Sequence, residues 1–305
     1  MAGGKVMDWI CGIQNAIDYI EDHLTEEIDY EEVAKRSFSS SYHFQRVFGI
    51  LCGYTLGEYI RYRRLSLAGA ELANGRAKVI DVALKYGYDS PDSFAKAFRN
   101  FHGITPSEAR TNGSMLKSFS RLSIQISLKG GSTMNYRIEE KPEMILTGYK
   151  RRFSGVPGER AEQEKEMYVT TRPLQYILGA LSGDSVSNFD IITNIDDSGY
   201  DFYIASRLTE YNRNNLDKDE VLGKEFAGYY ENITIPKCTY AIFETERCAY
   251  PTQIFLELRK KIASEWLPNS GYVLKDAPEL VVTHWYRGEE RDQRYRELWI
   301  PVEKK

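Results

Sequence analysis

The segment Phe44-Gln45-Arg46-Val47-Phe48-Gly49-Ile50-Leu51-Cys52-Gly53-Tyr54-Thr55 returns fifty residues later as Phe94-Ala95-Lys96-Ala97-Phe98-Arg99-Asn100-Phe101-His102-Gly103-Ile104-Thr105. Both copies keep the frame Phe-x-x-x-Phe-x-x-x-x-Gly-x-Thr. Upstream, Val33-Ala34 answers to Val82-Ala83 at an offset of forty-nine, so the second copy has one more residue in its turn. Phenylalanines four apart share a helix face, and the glycine suits a left-handed helix stop. Two copies of a short helix, a turn and a second helix read as tandem helix-turn-helix units. Two helices of this kind in one chain imply a DNA reader that needs no dimer partner.

The neighbouring sequence supports this frame. Trp9, Ile13, Ala16, Ile17, Ile20 and Leu24 form an apolar stripe at helical steps. A short helix near Tyr30–Arg36 follows, then a polar turn at Ser37–Ser40, with Ser40 or Ser41 as the cap of the next helix. Leu56–Ala73 is a longer helix closed by Asn74-Gly75. Val79–Tyr86 and Pro91–Phe101 form the second unit, Pro91 fitting the first helical position. The spacer helix, eighteen residues, is about 27 Å long at 1.5 Å per residue. That length can set two reading helices about one DNA turn, ~34 Å, apart.

The formal net charge of −4 hides a gradient. Acids crowd residues 18–32, with Asp18, Glu21, Asp22, Glu26, Glu27, Asp29, Glu31 and Glu32, whereas residues 36–110 carry eleven Lys or Arg against six acids. A local basic face binds phosphate irrespective of the whole-chain sum. Hydrophobic residues make up 42% and charged residues 28%, a globular balance over a length that suggests two domains. No apolar run reaches a membrane span and the start lacks a signal segment, so a cytoplasmic protein is expected. Cys11, Cys52, Cys238 and Cys248 lack metal or redox spacing and read as packing thiols; no metal and no cofactor is expected.

A groove-entering helix needs polar side chains near its N-terminus that can reach base edges. In the first unit these are Tyr42, Gln45 and Arg46, on the face opposite Phe44 and Phe48; glutamine pairs with adenine and arginine with guanine. The second unit offers Asp92, Ser93 and Lys96, poorer readers. On the spacer, Arg61 and Arg64 share a face suited to phosphate, or alternatively are solvated or paired with Glu58.

The motif Gly53-x-Thr55-x-x-Glu58-Tyr59-Ile60-Arg61-x-Arg63-Arg64 resembles the AraC/XylS-type DNA-binding domain. So does Ile80 with Val82-Ala83, Gly87-Tyr88-x-Ser90-x-x-Ser93-Phe94-x-x-x-Phe98-x-x-x-x-Gly103-x-Thr105-Pro106 and Arg110. The resemblance implies transcription regulation by an all-α tandem helix-turn-helix domain over residues 7–112. It implies contact with double-stranded DNA in two adjacent major grooves and with RNA polymerase, in a bacterial protein that is nucleoid-associated when bound. Carried over by position, Tyr42, Gln45 and Arg46 read the first groove and Asp92, Ser93 and Lys96 face the second.

After residue 112 the texture changes. Leu122, Ile124, Ile126 and Leu128 alternate, a strand signal within a connector over 113–132. From 133 to 305, strand runs flank single helices twice: Arg137–Glu140, Met144–Arg151, helix Glu159–Gly179, Asp190–Ile195, Tyr200–Leu208; then Tyr229–Ile235, Tyr240–Glu246, helix Pro251–Trp266, Glu279–Tyr286, Tyr295–Val302. Two halves of strand-strand-helix-strand-strand make an α+β domain with pseudo-twofold symmetry. In the last strand Tyr295, Glu297 and Trp299 share a face, and Leu298 and Ile300 the other. A carboxylate between aromatics suits a lipophilic cation; the plain alternative is a solvated glutamate beside half-buried rings.

Gly199-Tyr200-Asp201-Phe202-Tyr203, Tyr240-Ala241-Ile242-Phe243, Trp266-Leu267-Pro268-x-Ser270-Gly271-Tyr272 and Glu297-Leu298-Trp299-Ile300-Pro301-Val302 resemble the GyrI-like effector-binding domain. The resemblance implies a small-molecule effector in a cleft between pseudo-repeats, with Glu297 as its acid and Tyr149, Trp266 and Trp299 as its wall. The chain is thus expected to be a multidomain, non-enzymatic activator; two readers in one chain permit a monomer without deciding the oligomeric state. The competing readings are a regulator-derived small-molecule hydrolase, in which Glu297 is a general base, and a protein-docking module using the same cleft.

Overall fold

The structure, a computed structural model, describes residues 2–111, 113–124, 134–157, 161–182, 187–215, 227–286 and 288–304. The chain divides into two compact units, one holding most of residues 1–129 and the other most of residues 130–305.

The first unit is helical: α1 (Ala2–Asp22), α2 (Tyr30–Arg36), α3 (Ser41–Cys52), α4 (Leu56–Ala73), α5 (Val79–Lys85), α6 (Pro91–His102) and α7 (Pro106–Ala109). Local chemistry sets these ends. Asp29 caps α2 by accepting from the Glu31 N–H, 2.8 Å away. Thr55 and Glu58 form a reciprocal capping box at α4, as do Thr105 and Glu108 at α7. In the α4 box, Glu58 Oε2 accepts from the Thr55 N–H at 3.0 Å. Ser90 caps α6 and Pro91 opens it. The glycines of the repeat stand at φ 78° and 85°, the left-handed stops that their spacing requires.

Helix α4 is the common spine. Its first turns bury Leu56, Tyr59 and Ile60, with Phe44, Phe48 and Tyr59 in successive ring contact at 5.7 Å. Its later turns place Leu65, Ala68 and Leu72 against Val82, Ala83, Phe94, Phe98 and Ala109. Each of these large side chains contributes about 1.5–3 kcal/mol by leaving water. The two phenylalanine pairs are thus the cores of two units sharing one helix.

The strand expected in the connector is absent from its described part. Residues 115–124 form a strap without regular secondary structure, four of whose amides donate to side chains of the helical unit. The Lys117 N–H donates to His102 Nδ1 at 3.2 Å, Phe119 to Ser66 Oγ at 3.0 Å, Leu122 to the Tyr59 hydroxyl at 3.2 Å and Ile124 to Gln14 Oε1 at 3.0 Å. The Phe119 ring sits among Tyr54, Tyr59 and Tyr62 at 5.3–6.0 Å. The side-chain partners of this segment lie on the helical unit; Ile126 and Leu128 lie outside the described residues.

The second unit contains β1 (Tyr136–Lys141), β2 (Met144–Phe153), α8 (Ala161–Thr170), α9 (Arg172–Leu181), β3 (Ser187–Asp196), β4 (Gly199–Ser206), α10 (Glu210–Asn214), β5 (Glu231–Ile235), β6 (Cys238–Glu244), α11 (Thr252–Lys261), β7 (Tyr272–Leu274), β8 (Glu279–His284) and β9 (Tyr295–Lys304). The single helix expected over Glu159–Gly179 is two, broken at Thr171, because Pro173 disfavours a continuous helix through that point. Helix α11 runs on through a π turn, Ile262–Trp266.

The strands form one antiparallel sheet in the order β1-β6-β9-β8-β3-β4-β2-β5, with β7 on the far end of β9. Exchanging β1 with β5, β2 with β6, β3 with β8 and β4 with β9 reproduces this order read backwards. The expected pseudo-twofold is therefore present, with its axis between β3 and β8. Each half also gives its first strand to the other: β1 pairs β6 and β5 pairs β2. One face carries the helices; Tyr149, Phe153, Tyr200, Phe202 and Ile204 pack there with Met167 and Leu178. On the other, Phe189, Ile191, Tyr203, Tyr240, Leu280, Val282 and Trp299 pack on each other.

Candidate DNA-reading helices and ligand cleft

In α6 the buried side is Phe94, Phe98 and His102, while Asp92, Ser93 and Lys96 are exposed. Ser93 is partly engaged, bonding Ser90 through its hydroxyl. In α3 the same register holds, yet the reading side is covered. Arg46 is only 7% exposed, His43 is buried, and Tyr42 and Gln45 are half-buried. Tyr42, His43 and Arg46 are all engaged with other groups of the chain, and Gln45 Nε2 donates to Ser41 Oγ at 3.0 Å. A buried guanidinium must be paired, as Arg46 is.

The spacer arginines part company. Arg61 is exposed, its guanidinium 5.4 Å from the Tyr62 ring centroid. Arg63 forks onto Glu21 at 2.8 and 2.7 Å, and Tyr59 donates to the same carboxylate at 2.7 Å. Burial opposes the Glu21 charge, but these donors hold its carboxyl below the usual range. Arg64 donates from Nε to the Leu24 carbonyl at 2.8 Å and from Nη2 to the Glu26 carbonyl. Arg63 and Arg64 are therefore internal ties, and the face that Arg61 and Arg64 share by spacing presents only Arg61.

Register decides the faces of the second unit. Glu297 pairs Val282, Val282 pairs Phe189, Phe189 pairs Ala205 and Ala205 pairs Gly148. Cross-strand partners share a face, so Glu297 and Gly148 lie together and Tyr149 lies opposite. Tyr149 indeed packs among the helix-face residues and its hydroxyl is 2.8 Å from Thr171 Oγ1. Trp266 is also on the helix face, against Tyr136, Phe243 and Tyr272 at 5.0–6.1 Å. Of the four residues expected to line one cleft, the structure brings together Glu297 and Trp299 and separates Tyr149 and Trp266 from them.

Around Glu297 the inner face is polar at one end and aromatic beyond. Trp299 Nε1 donates to Glu297 Oε2 at 2.6 Å, Arg137 Nη2 to Oε1 at 2.9 Å, and His284 Nε2 lies 3.7 Å from Oε1. Burial alone would raise the Glu297 pKa, but the adjacent His284, Trp299 and Arg137 outweigh it and bring it down to about 2. The carboxylate is thus ionised throughout the physiological range, and poorly suited to act as a general base. Trp299 meets Tyr240 at 5.9 Å and Phe189 at 6.4 Å. His284 stacks on its cross-strand partner Tyr295 at 4.1 Å. Among the described residues no group of His, Cys, Asp and Glu is placed to hold a metal, and no helix is long and apolar enough to cross a membrane.

The family described as "Helix-turn-helix domain" matches residues 33–112, and "Integron-associated effector binding protein" matches residues 221–302. HTH-type transcriptional activator AarP of Providencia stuartii is 44% identical over 95 residues, 31% of this chain and 70% of that protein. Regulatory protein SoxS of Salmonella typhimurium is 40% identical over 98 residues, 32% of this chain and 92% of that protein. The chain belongs to the AraC-type transcription regulators. Among solved structures, an integron cassette protein from the mobile metagenome of Vibrio cholerae aligns with 55% of this chain and 95% of its own, at 14% identity and a TM-score of 0.35.

This AraC-type chain is a DNA-binding transcription regulator rather than an enzyme, and its second unit matches an effector-binding family over residues 221–302. Sequence reasoning missed three residues of its inner face: Arg137, Lys141 and His284. Arg137-x-Glu139-x-Lys141 is a visible alternation, but only the β1–β6–β9 pairing brings it to Glu297.

Proposed function

We propose that this regulator is an activator that reads two adjacent major grooves as a monomer and is switched by a lipophilic cation bound at Glu297 and Trp299. The observation carrying the ligand reading is the buried, ionised carboxylate of Glu297 beside the Trp299 and Tyr240 rings, where charge attraction and cation–π contact coincide. Tyr149 and Trp266 take no part in it. On the DNA side, Asp92, Ser93 and Lys96 of α6 face the second groove, and Arg61 touches phosphate. Tyr42, Gln45 and Arg46 of α3 read the first groove in a state that uncovers Arg46. The name of AarP, a transcriptional activator, supports activation; RNA polymerase as a partner and the bacterial cytoplasm belong to the same proposal.

Selection of bound duplexes from a random pool, with and without a lipophilic cation, tests the reading. The expected consensus has two half-sites about one helical turn apart, with affinity changed by the cation. A single half-site, or a consensus and affinity indifferent to every cation, overturns it.

A further inference from the structure

The two features that would recognise a cation are already in use. Arg137 holds the Glu297 carboxylate at 2.9 Å, and Lys141 Nζ stands over the Trp299 ring, 4.6 Å from its centroid. Both cations belong to β1 and, four residues apart on one strand, point to the same face. We propose that Arg137 and Lys141 are resident stand-ins for the effector's cationic centre, and that the effector binds by displacing them from Glu297 and Trp299. This rests on the Glu297–Trp299 reading above and adds what the ligand must outcompete, and which strand responds.

The geometry makes displacement inexpensive. Arg137 spreads its guanidinium over three carboxylates: Nε to Glu139, Nη1 to Glu244 and Nη2 to Glu297. Released from Glu297, it keeps the other two. Lys141 likewise keeps its ion pair with Glu139. Neither cation is stranded, so the penalty for an unpaired charge does not arise. The ligand, in return, sets its own apolar surface against the Trp299 ring, which a lysine ammonium cannot do. A small hydrophilic cation gains nothing over the residents; a bulky lipophilic one gains burial. The resident pair thus sets the ligand class.

It also localises the response. Strand β1 ends the sheet and, among the described strands, pairs only with β6. It is the first strand after the connector, so the side chains that move belong to the element the connector leads into. Whatever the ligand does to DNA affinity, DNA must do to ligand affinity by the same factor.

Equilibrium dialysis of the full chain against crystal violet, a lipophilic cation, and its neutral leuco form tests the proposal. Arg137→Met and Lys141→Met should each tighten crystal violet, the former by at least about tenfold, the equivalent of one charge-assisted hydrogen bond. Binding of the leuco form should change less. Should Arg137→Met not fold, Lys141→Met carries the same test. Unchanged or weaker crystal violet binding in the folded variants, while Glu297→Gln abolishes it, overturns the stand-in role and leaves the cation site. Crystal violet binding unaffected by Glu297→Gln overturns the cation site itself. Octanesulfonate binding the wild-type chain more tightly than crystal violet, and losing that affinity in Arg137→Met, would make the arginine the recognition group and overturn the proposal.

Discussion

The imidazole of His102 lies on the backbone of Gly69: a Cβ placed on that glycine would come within 2.6 Å of the ring Cε1 and 2.7 Å of Nε2. The ring is fixed at both nitrogens, Nε2 bonding the Leu65 carbonyl at 2.9 Å and Nδ1 accepting from Lys117 at 3.2 Å. Glycine inside a helix normally costs about 0.5–1 kcal/mol relative to alanine. Here the sign reverses, because α4 must pass close to α6. Gly69→Ala should lower stability by about 1–3 kcal/mol in urea denaturation. In a His102→Ala background the same change should be neutral or stabilising. A destabilisation of equal size in both backgrounds would remove the ring from the explanation.

His102 also predicts a pH dependence. Its Nδ1 accepts an amide hydrogen, so Nε2 carries the proton and the neutral ring is the bonded form. Burial, the largest cause, holds its pKa below the ordinary value of 6.5. With the folded pKa below the unfolded one, the unfolded chain binds more protons between them. The stability is therefore present above about 6.5 and is lost as pH falls through 6.5 toward the lower folded value. The slope of unfolding free energy across that window should flatten in His102→Gln; an unaltered slope refutes the assignment.

Arg61 and Arg64, three residues apart, should behave differently. Arg61→Ala should weaken all duplexes about equally and reduce the log–log salt slope by about 1. Arg64→Ala, which removes the ties to the Leu24 and Glu26 carbonyls, should cost about 1–3 kcal/mol of stability and leave the salt slope unchanged. Fluorescence anisotropy against salt and thermal melts separate the two.

Arg259 and Glu279 form an ion pair at 2.8 Å with both side chains buried. Removing either partner alone, as Arg259→Met or Glu279→Gln, should cost about 3–5 kcal/mol, because the remaining charge is left in an apolar setting. The double replacement by Met and Leu should recover most of that loss. Single variants as stable as the wild type would show that the pair is solvated.

The strap makes a fourth kind of contact testable. Phe119→Ala removes a half-buried ring from among Tyr54, Tyr59 and Tyr62 and should cost about 2 kcal/mol, read in the melting of the helical unit. No change would mean that the backbone bonds alone retain the strap.

What the sequence disclosed follows from range. Helices α2 to α6 were legible because helical spacing, Pro91, Gly53 and Gly103 act within a turn of themselves, and the second unit's strands because alternation is local. Partners were not. Leu122 and Ile124 alternate like a strand, yet no pattern says that the neighbour is Tyr59 and Gln14. Tyr149 and Glu297 are separated by parity: one residue along β2, at Gly148, the side chain would have faced the cleft. Arg46 projects away from Phe44 and Phe48 as its spacing demands, but helical phase cannot tell that this side of α3 is covered. Arg137 came to Glu297 through a pairing across 160 positions of sequence, beyond the reach of any local signal.

The exchange of β1 and β5 between the halves has an evolutionary corollary. An ancestral single copy, lacking a partner's first strand, would expose the edge that β6 or β2 now covers, and an open edge invites a second copy. Two such copies clasped through swapped strands would already possess the axis and a cleft at each end. Fusion of their genes into one reading frame would then have freed the two ends to diverge, one keeping a guarded acid and the other released to lose it.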